Sequence, residues 1–549
     1  MSDWPARSGH LDTFCADNLP SRELWPVRDW SGLPELEYPD RLNCVTELLD
    51  RAVLRGVGDR PAIRFPGGEW SYRELCEKVN QIAHVLVDDL GLVPGNRVLL
   101  RGPNNAMLAA CWLAVLKAGG VAVCTMAMLR ERELQSIAEA AEITLALSDA
   151  RFAEDCLTAF QTCSDGGTRD HGCVVLYGGA GAGDLTSLMQ DKPTEFAACD
   201  TSAEDTAIIA FTSGTTGKGK GTMHSHRDIL AVTDCFPRHV LRPTADDLFC
   251  GSPPLAFTYA LGGLLLFPLR VGACTLLLEQ ATPPHLVKSI AEFRPTICFT
   301  APTAYRAMCG MLHEHDVSSL KACVSAGEAL PLAVYDAWKA ATGLRIIVGI
   351  GATEMLHIFI SDSGDDIRPG ATGRVVPGYN ACVLDEEGNE VADGVVGRLA
   401  VCGPTGCRYL RNDGRQREYV QNGWNLTGDS YRRDADGYFW YQARTDDIII
   451  SSGYNIAGPE VENVLLEHPA VQECAVVGVP DAERGQLVKA VIVLRSGVME
   501  SSELVKELQD FVKARIAPYK YPRAVEIVRA LPRTINGKLQ RFKLREAPR

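Results

Sequence analysis

The sequence predicts an α/β protein: a large N-terminal domain of helix-covered β-sheets followed by a small α+β C-terminal domain. Three observations carry that prediction. Residues 71–147 alternate helical patterns with short apolar runs, and further strand-like runs recur with helical spacers between 207 and 348. After Asp446 the texture changes to a separate αβ pattern of about 100 residues, long enough to enclose its own core.

In the first block, residues 71–90, 104–119 and 130–142 place apolar side chains at helical spacing, while 97–102, 121–124 and 143–147 are apolar runs of strand length. This alternation is satisfied by a parallel sheet with helices on both faces. Residues 150–205, rich in Gly, Asp and Thr, read as irregular surface. Strand signals resume at 207–211, 275–278, 296–300 and 344–348. In the last block, 459–468 and 503–516 read as helices, and 474–479, 489–494 and 524–528 as strands. The predicted domains are 1–445 and 446–549.

The 549 residues carry 55 Lys plus Arg against 69 Asp plus Glu, a net charge of −14. That balance opposes the counterion-release attraction of a general nucleic-acid binder. With 46% apolar and 23% charged residues the chain has the composition of a globular protein. Nineteen cysteines, an odd number without a CxxC spacing, fit a reduced, cytoplasmic setting. The most apolar stretch, 261–269, is far shorter than the roughly 20 residues of a spanning helix, and the start of the chain lacks a basic region followed by an apolar run. No membrane partner is expected.

The most informative segment is AIIAFTSGTTGKGKGTMHSH at 207–226. An apolar strand enters Thr212, Ser213, Gly214, Thr215, Thr216, Gly217, Lys218, Gly219 and Lys220, a loop dense in glycine, hydroxyls and ammonium groups. Glycine lets backbone N–H groups approach an anion closely, so such a loop can cradle a polyphosphate. Gly214, Gly219 and Lys220 satisfy part of the P-loop spacing, but Gly221 stands where Ser or Thr would hold magnesium. The loop order instead resembles that of the adenylate-forming acyl-CoA synthetase superfamily.

That resemblance orders the remaining motifs. In GIGATE at 349–354, Thr353 matches the residue that approaches the nucleotide phosphate and Glu354 the Mg²⁺ ligand; a hard cation bridging phosphates needs only one or two protein carboxylates. Gly327, Glu328 and Ala329 match the loop flanking adenine. Asp429 matches the ribose-binding carboxylate and Arg444 its partner, with Ala443 where glycine is usual. Lys538, in LPRTINGK, matches the terminal lysine whose ammonium stabilises charge on the reacting oxygens. Asp446 matches the hinge of a mobile C-terminal domain, and Gly453 and Tyr454 the loop that lines the coenzyme A path. The resemblance implies ATP, Mg²⁺ and coenzyme A, and it leaves a homodimer open.

Two further segments, PLAFTYALGG at 254–263 and EMLHIF at 354–359, resemble benzoate-type aryl-CoA ligases. SGHLDTF at 8–14 with Asn18, Leu19 and Pro20 resembles 2-aminobenzoate–CoA ligases. The implied acid site comprises Phe257, Tyr259, Ala260, Gly351 and His357, a short slot with an aromatic wall. The expected reaction is formation of an aryl-adenylate with release of pyrophosphate, then of the CoA thioester with release of AMP. The alternatives are a short- or medium-chain fatty acyl-CoA synthetase and an adenylating enzyme that loads a carrier-protein thiol. From another class comes a regulatory protein that binds nucleotide without chemistry.

Overall fold

The computed structural model describes residues 7–162, 173–179, 181, 183–212, 220–444, 447–451, 454–481, 484–516, 518–534 and 539–545. The first βα block forms a six-stranded sheet. Its order is Cys173–Tyr177, Leu145–Asp149, Arg97–Gly102, Val121–Met126, Thr206–Thr212 and Lys220–Ser225. All neighbours are parallel except the last pair. Strand alternation divides the apolar side chains between two cores. Val98 and Leu100 pack with helices Tyr72–His84 and Ala106–Lys117, while Leu99 packs with Glu131–Ala141 and Ala153–Thr162. Ser71 and Glu74 form a reciprocal capping box that starts the first of these helices.

The expectation of irregular surface over 150–205 needs correction. Helix Ala153–Thr162 and strand Cys173–Tyr177 both lie there, and the strand pairs in parallel with Leu145–Asp149. The run CVVLY is apolar enough for an edge strand, but its glycine-rich flanks dominate the local composition.

A second sheet has nine strands. It runs Arg374–Val375, Ile358–Ser361, Ile346–Gly351, Ala322–Ser325, Ile297–Thr300, Leu248–Gly251, Cys274–Leu276, Pro61–Phe65 and Gly68–Ser71. The strands from Ile346–Gly351 to Pro61–Phe65 are parallel, and the flanking pairs are antiparallel. A third, antiparallel sheet contains Asn380–Leu384, Val396–Cys402, Trp424–Arg433, Val420–Gln421 and Phe439–Arg444. The sequence reading placed no elements there. Its longest strand, WNLTGDSYRR, carries polar residues at buried and half-buried positions alike, so it lacks the continuous apolar run of a buried parallel strand.

The C-terminal part folds around its own five-stranded sheet. Tyr454–Ile456, Ile449–Ser451, Gly485–Leu494 and Val471–Asp481 lie in that order, and Ala524–Ile527 pairs in parallel with Gly485–Leu494. Helices Gly458–Leu466 and Ser502–Lys513 cover one face, burying Val461, Leu465, Leu508 and Val512 against Val476, Val488 and Ile492. Helix Gly458–Leu466 also lies against helix Leu332–Thr342 and strand Phe439–Arg444 of the large domain. Among the described residues no helix is long and apolar enough to cross a membrane.

Candidate active site

Three of the predicted segments, 257–260, 327–329 and 353–354, leave the same end of one parallel sheet, the end where open α/β sheets form ligand crevices. Gly327–Glu328–Ala329 follows strand Ala322–Ser325, and Thr353–Glu354 follows Ile346–Gly351; these strands pair with Ser325 opposite Val348. Gly327 has φ +90°, which an L side chain rarely adopts, and so turns the chain directly after its strand. Leu248–Gly251, two strands along, leads at the same end into Phe257 and helix Thr258–Leu261.

The predicted phosphate loop joins two antiparallel strands, with Thr212 paired to Lys220. A P-loop would instead run from its strand into a helix. Thr212 ends the first strand and Lys220 begins the second. Ser213, Gly214, Thr215, Thr216 and Gly217 lie outside the described residues, as do Asp446, Gly453 and Lys538. Tyr454 begins strand Tyr454–Ile456.

Two side chains that sequence reasoning missed tie this hairpin to the Thr353–Glu354 turn. His224, on the second hairpin strand, is wholly buried and its Nε2 lies 2.7 Å from the Thr353 carbonyl. Burial pushes its pKa down to about 4, so the ring is neutral and donates this hydrogen bond from Nε2. Tyr409 donates its hydroxyl to Glu354 Oε1 at 2.6 Å. Burial, then the neighbouring Glu354 charge, pushes the phenol pKa up, which keeps the proton on Tyr409. Residues 408–410 run beside the same hairpin strand: Met223 N donates to Arg408 O at 2.8 Å and Leu410 N to Gly221 O at 2.9 Å. Arg408 anchors that segment, donating to the buried Asp228 at 2.9 Å. The pattern MHSH at 223–226 and the sequence RYL at 408–410 were visible, but neither has a spacing that names a partner so distant in the chain.

Glu354 is a single carboxylate, and among the described residues no three His, Cys, Asp or Glu side chains cluster as a protein-only metal cage. A lone carboxylate fits Mg²⁺, a hard cation that needs only one or two protein carboxylates when phosphate is present, and Glu354 would be the residue that holds it.

Asp429 and Arg444 face each other on paired strands, and Arg444 Nη1 donates to Asp429 Oδ1 and to Thr427 O, each at 3.2 Å. Ala443, where glycine is usual, is buried and lies opposite Ser430, next to a shift in register between Ser430 and Tyr431. Gly428 has φ +76°, and a Cβ there would lie 2.8 Å from Arg444 Nη2.

The acid station forms an aromatic cluster. Tyr259 donates its hydroxyl to Val324 O at 3.0 Å, so that group is committed to the backbone. Ala260 is fully buried. The His357 ring centroid is 4.5 Å from Phe267, 5.9 Å from Phe236 and 5.9 Å from Tyr259. His357 Nε2 lies 3.2 Å from Tyr259 O, and burial pushes the ring's pKa down to about 3. The ring is therefore neutral, with Nε2 protonated and Nδ1 an acceptor. Nδ1 is buried with no hydrogen-bond partner among the described residues. Gly351 is required beside it, since a Cβ would lie 2.7 Å from His357 O. Phe257 is half-buried just before helix Thr258–Leu261.

Comparison with known proteins gives the family: residues 49–408 match the AMP-binding enzyme family, and 460–538 match the AMP-binding enzyme C-terminal domain. The chain belongs to the AMP-binding enzyme family. It is 36% identical to the benzoate–CoA ligase of Thauera aromatica, over 95% of this chain and 99% of that one. It is 32% identical to the mitochondrial acyl-coenzyme A synthetase ACSM3 of Rattus norvegicus, over 93% and 91%. A crystal structure of the anthranilate CoA ligase AuaEII in complex with anthranoyl-AMP superposes with a TM-score of 0.88 at 34% identity, covering 93% of this chain and 98% of that one. As a member of this family the protein is an AMP-forming acid–thiol ligase, an ATP-dependent acyl- or aryl-CoA synthetase.

Proposed function

We propose that this ligase activates an aromatic carboxylic acid of the 2-aminobenzoate or benzoate type. The observation that carries the proposal is His357 in its aromatic setting. Its Nδ1 lone pair is buried without a partner among the described residues, in a cluster with Tyr259, Phe236 and Phe267. A buried acceptor without a partner costs about 1–3 kcal/mol; in this reading the cluster opens at Nδ1, which exposes no surface here, and the ortho N–H of a 2-aminobenzoate ring supplies the missing bond, while benzoate draws only on the aromatic walls. Flat aromatic walls favour that ring over a flexible alkyl chain, which loses more rotational freedom on binding. Similarity to the benzoate and anthranilate ligases supports the same class.

In this reading Thr212, Ser213, Gly214, Thr215, Thr216, Gly217 and Lys220 hold the phosphates. Gly327, Glu328 and Ala329 flank the adenine, Asp429 and Arg444 hold the ribose, and Thr353 approaches the α-phosphate. Glu354, oriented by Tyr409, would hold Mg²⁺, which supplies charge neutralisation at the phosphates. A carboxylate oxygen of the acid attacks the α-phosphorus, the bond to the bridging oxygen breaks, and pyrophosphate leaves with the electron pair. Lys538 stabilises the charge on the reacting oxygens. In the second step the coenzyme A sulfur attacks the acyl carbon and AMP leaves. Asp446 is assigned as the pivot between the two steps, and Gly453 and Tyr454 line the thiol path. The unpaired thiols of the described cysteines suit a reducing cytoplasm.

The second reading, a short- or medium-chain fatty acid as substrate, draws on the similarity to acyl-coenzyme A synthetase ACSM3. Acid-dependent pyrophosphate release and CoA-dependent AMP release, measured over substituted benzoates and hexanoate, separate the two. We expect 2-aminobenzoate and benzoate to exceed hexanoate in kcat/KM by on the order of tenfold or more. The opposite ranking rejects the aromatic slot.

A further inference from the structure

Four charged side chains alternate in sign across the boundary between the two domains. Arg306, on helix Pro302–Cys309 of the large domain, donates to Glu473 Oε1 at 2.5 Å. Glu473 stands on strand Val471–Asp481 of the small domain, and its Oε2 accepts from Arg533 Nη2 at 3.0 Å. Arg533 Nη1 in turn lies 3.7 Å from Glu328 Oε1, back in the large domain. The boundary is thus crossed at two points, and one carboxylate sits between two guanidinium groups.

The side chains are only 20–32% exposed, so bulk water and salt screen them less than they would a surface pair. Each end of the chain also touches an element of the site. Glu328 belongs to the loop assigned to the adenine. Arg533 pairs with Leu539 in an antiparallel bridge, and Gln540 N donates to Pro532 O at 2.9 Å. These two contacts close the base of the segment that contains Lys538 in sequence. Neither Arg306 nor Glu473 belongs to the apolar core of its own domain.

We propose that Arg306 and Glu473 are positioning residues for adenylate formation: they hold Arg533, and with it the base of the Lys538 segment, against the loop at Glu328. The proposal rests on the assignment of Lys538 to the first half-reaction. An ion pair across the boundary contributes only while the two domains stand in this arrangement, so its loss weakens this arrangement and no other. Since Arg533 stands beside the Glu328 loop assigned to the adenine, the contribution falls on adenylate formation, and thioester formation does not require it.

The test uses the full chain with Arg306→Gln, Glu473→Gln, the double variant and Arg306→Lys. Acid-dependent exchange of pyrophosphate into ATP reads the first half-reaction; consumption of supplied aryl-adenylate by coenzyme A reads the second. Each neutral variant is expected to slow exchange by on the order of tenfold, and the double variant to be no worse than Glu473→Gln alone. Arg306→Lys, which keeps the charge, is expected to stay within about threefold of the unaltered protein. The second half-reaction should be undiminished throughout. Equal loss in both half-reactions, or exchange unchanged in Glu473→Gln, overturns the proposal. Small-angle scattering of the same proteins without substrate reads the domain arrangement independently of chemistry. A larger radius of gyration in the neutral variants is expected, and identical values overturn the proposal. Absence of exchange in the unaltered protein with every acid offered would sink the proposed acid class, while scattering would still decide whether the ion pairs hold the domains.

Discussion

Gly428 shows how one residue without a side chain can set a ligand site. Its φ of +76° favours glycine, and a Cβ there would lie 2.8 Å from Arg444 Nη2, so the arginine would have to move. Gly428→Ala is expected to cost about 1–2 kcal/mol of stability from the backbone alone. It should also push Arg444 away from Asp429 and raise the KM for ATP several-fold; an unchanged KM for ATP would remove the pair from the nucleotide site. The buried histidines have a consequence for stability as well. Burial pushes His224 down to about 4, and His226 and His357 to about 3. An unfolded imidazole takes up a proton below its ordinary value of about 6.5, whereas these rings stay neutral until pH 4 or lower. Unfolding therefore takes up protons in that interval, and stability falls as pH falls through it. Each ring is expected to remove about 1–2 kcal/mol between pH 7.5 and 5. Denaturant midpoints measured across that range check this, and a flat profile contradicts it.

At the scale of elements, the site depends on tight approaches between segments that are remote in sequence. Helical Gly262 faces His357: a Cβ there would lie 2.3 Å from Cδ2 and 2.6 Å from Nε2 of the ring. Phe267 and Phe236 flank the same ring, so it has little room to yield. Gly262→Ala is expected to overpack the cluster at a cost of about 1–3 kcal/mol and to break the contact of Nε2 with Tyr259 O. The KM for the aromatic acid should rise more than the KM for ATP, and a parallel rise in both would show a general loss of fold instead. The hairpin at 206–225 has a comparable role on the nucleotide side. Through His224 and the 408–410 segment its second strand is linked to Thr353 and Glu354, which ties the proposed phosphate loop to them.

For the whole molecule, the question is how one cleft performs two reactions. Lys538→Ala is expected to slow adenylate formation by on the order of a hundredfold or more, the scale of losing one preorganised charge at a reacting oxygen. Thioester formation from supplied aryl-adenylate should be largely spared; equal loss in both steps, measured separately, would contradict the role. Much of this architecture was legible in the chain. The βα alternation of 71–147 gave its helices and strands because fully buried parallel strands must be apolar throughout. The glycine- and threonine-rich run at 212–220 carries the expectation of a phosphate site, because close approach of backbone N–H groups to an anion favours that composition; residues 213–219 lie outside the described residues. The antiparallel sheet over 380–444 was not legible, since polar residues interrupt its longest strand, Trp424–Arg433, and the apolar run in Asn380–Leu384 is short. Nor was the strand Cys173–Tyr177, hidden between glycine-rich flanks. What the sequence by itself determined were the local elements and the kinds of group the chemistry needs, because backbone period and residue type act over a few positions. Only the tertiary structure decided that Tyr409 meets Glu354, that His224 holds Thr353 and that Arg306 reaches Glu473. Those contacts join residues 55, 129 and 167 positions apart, and no local pattern specifies which distant partner the packing of whole sheets will bring near.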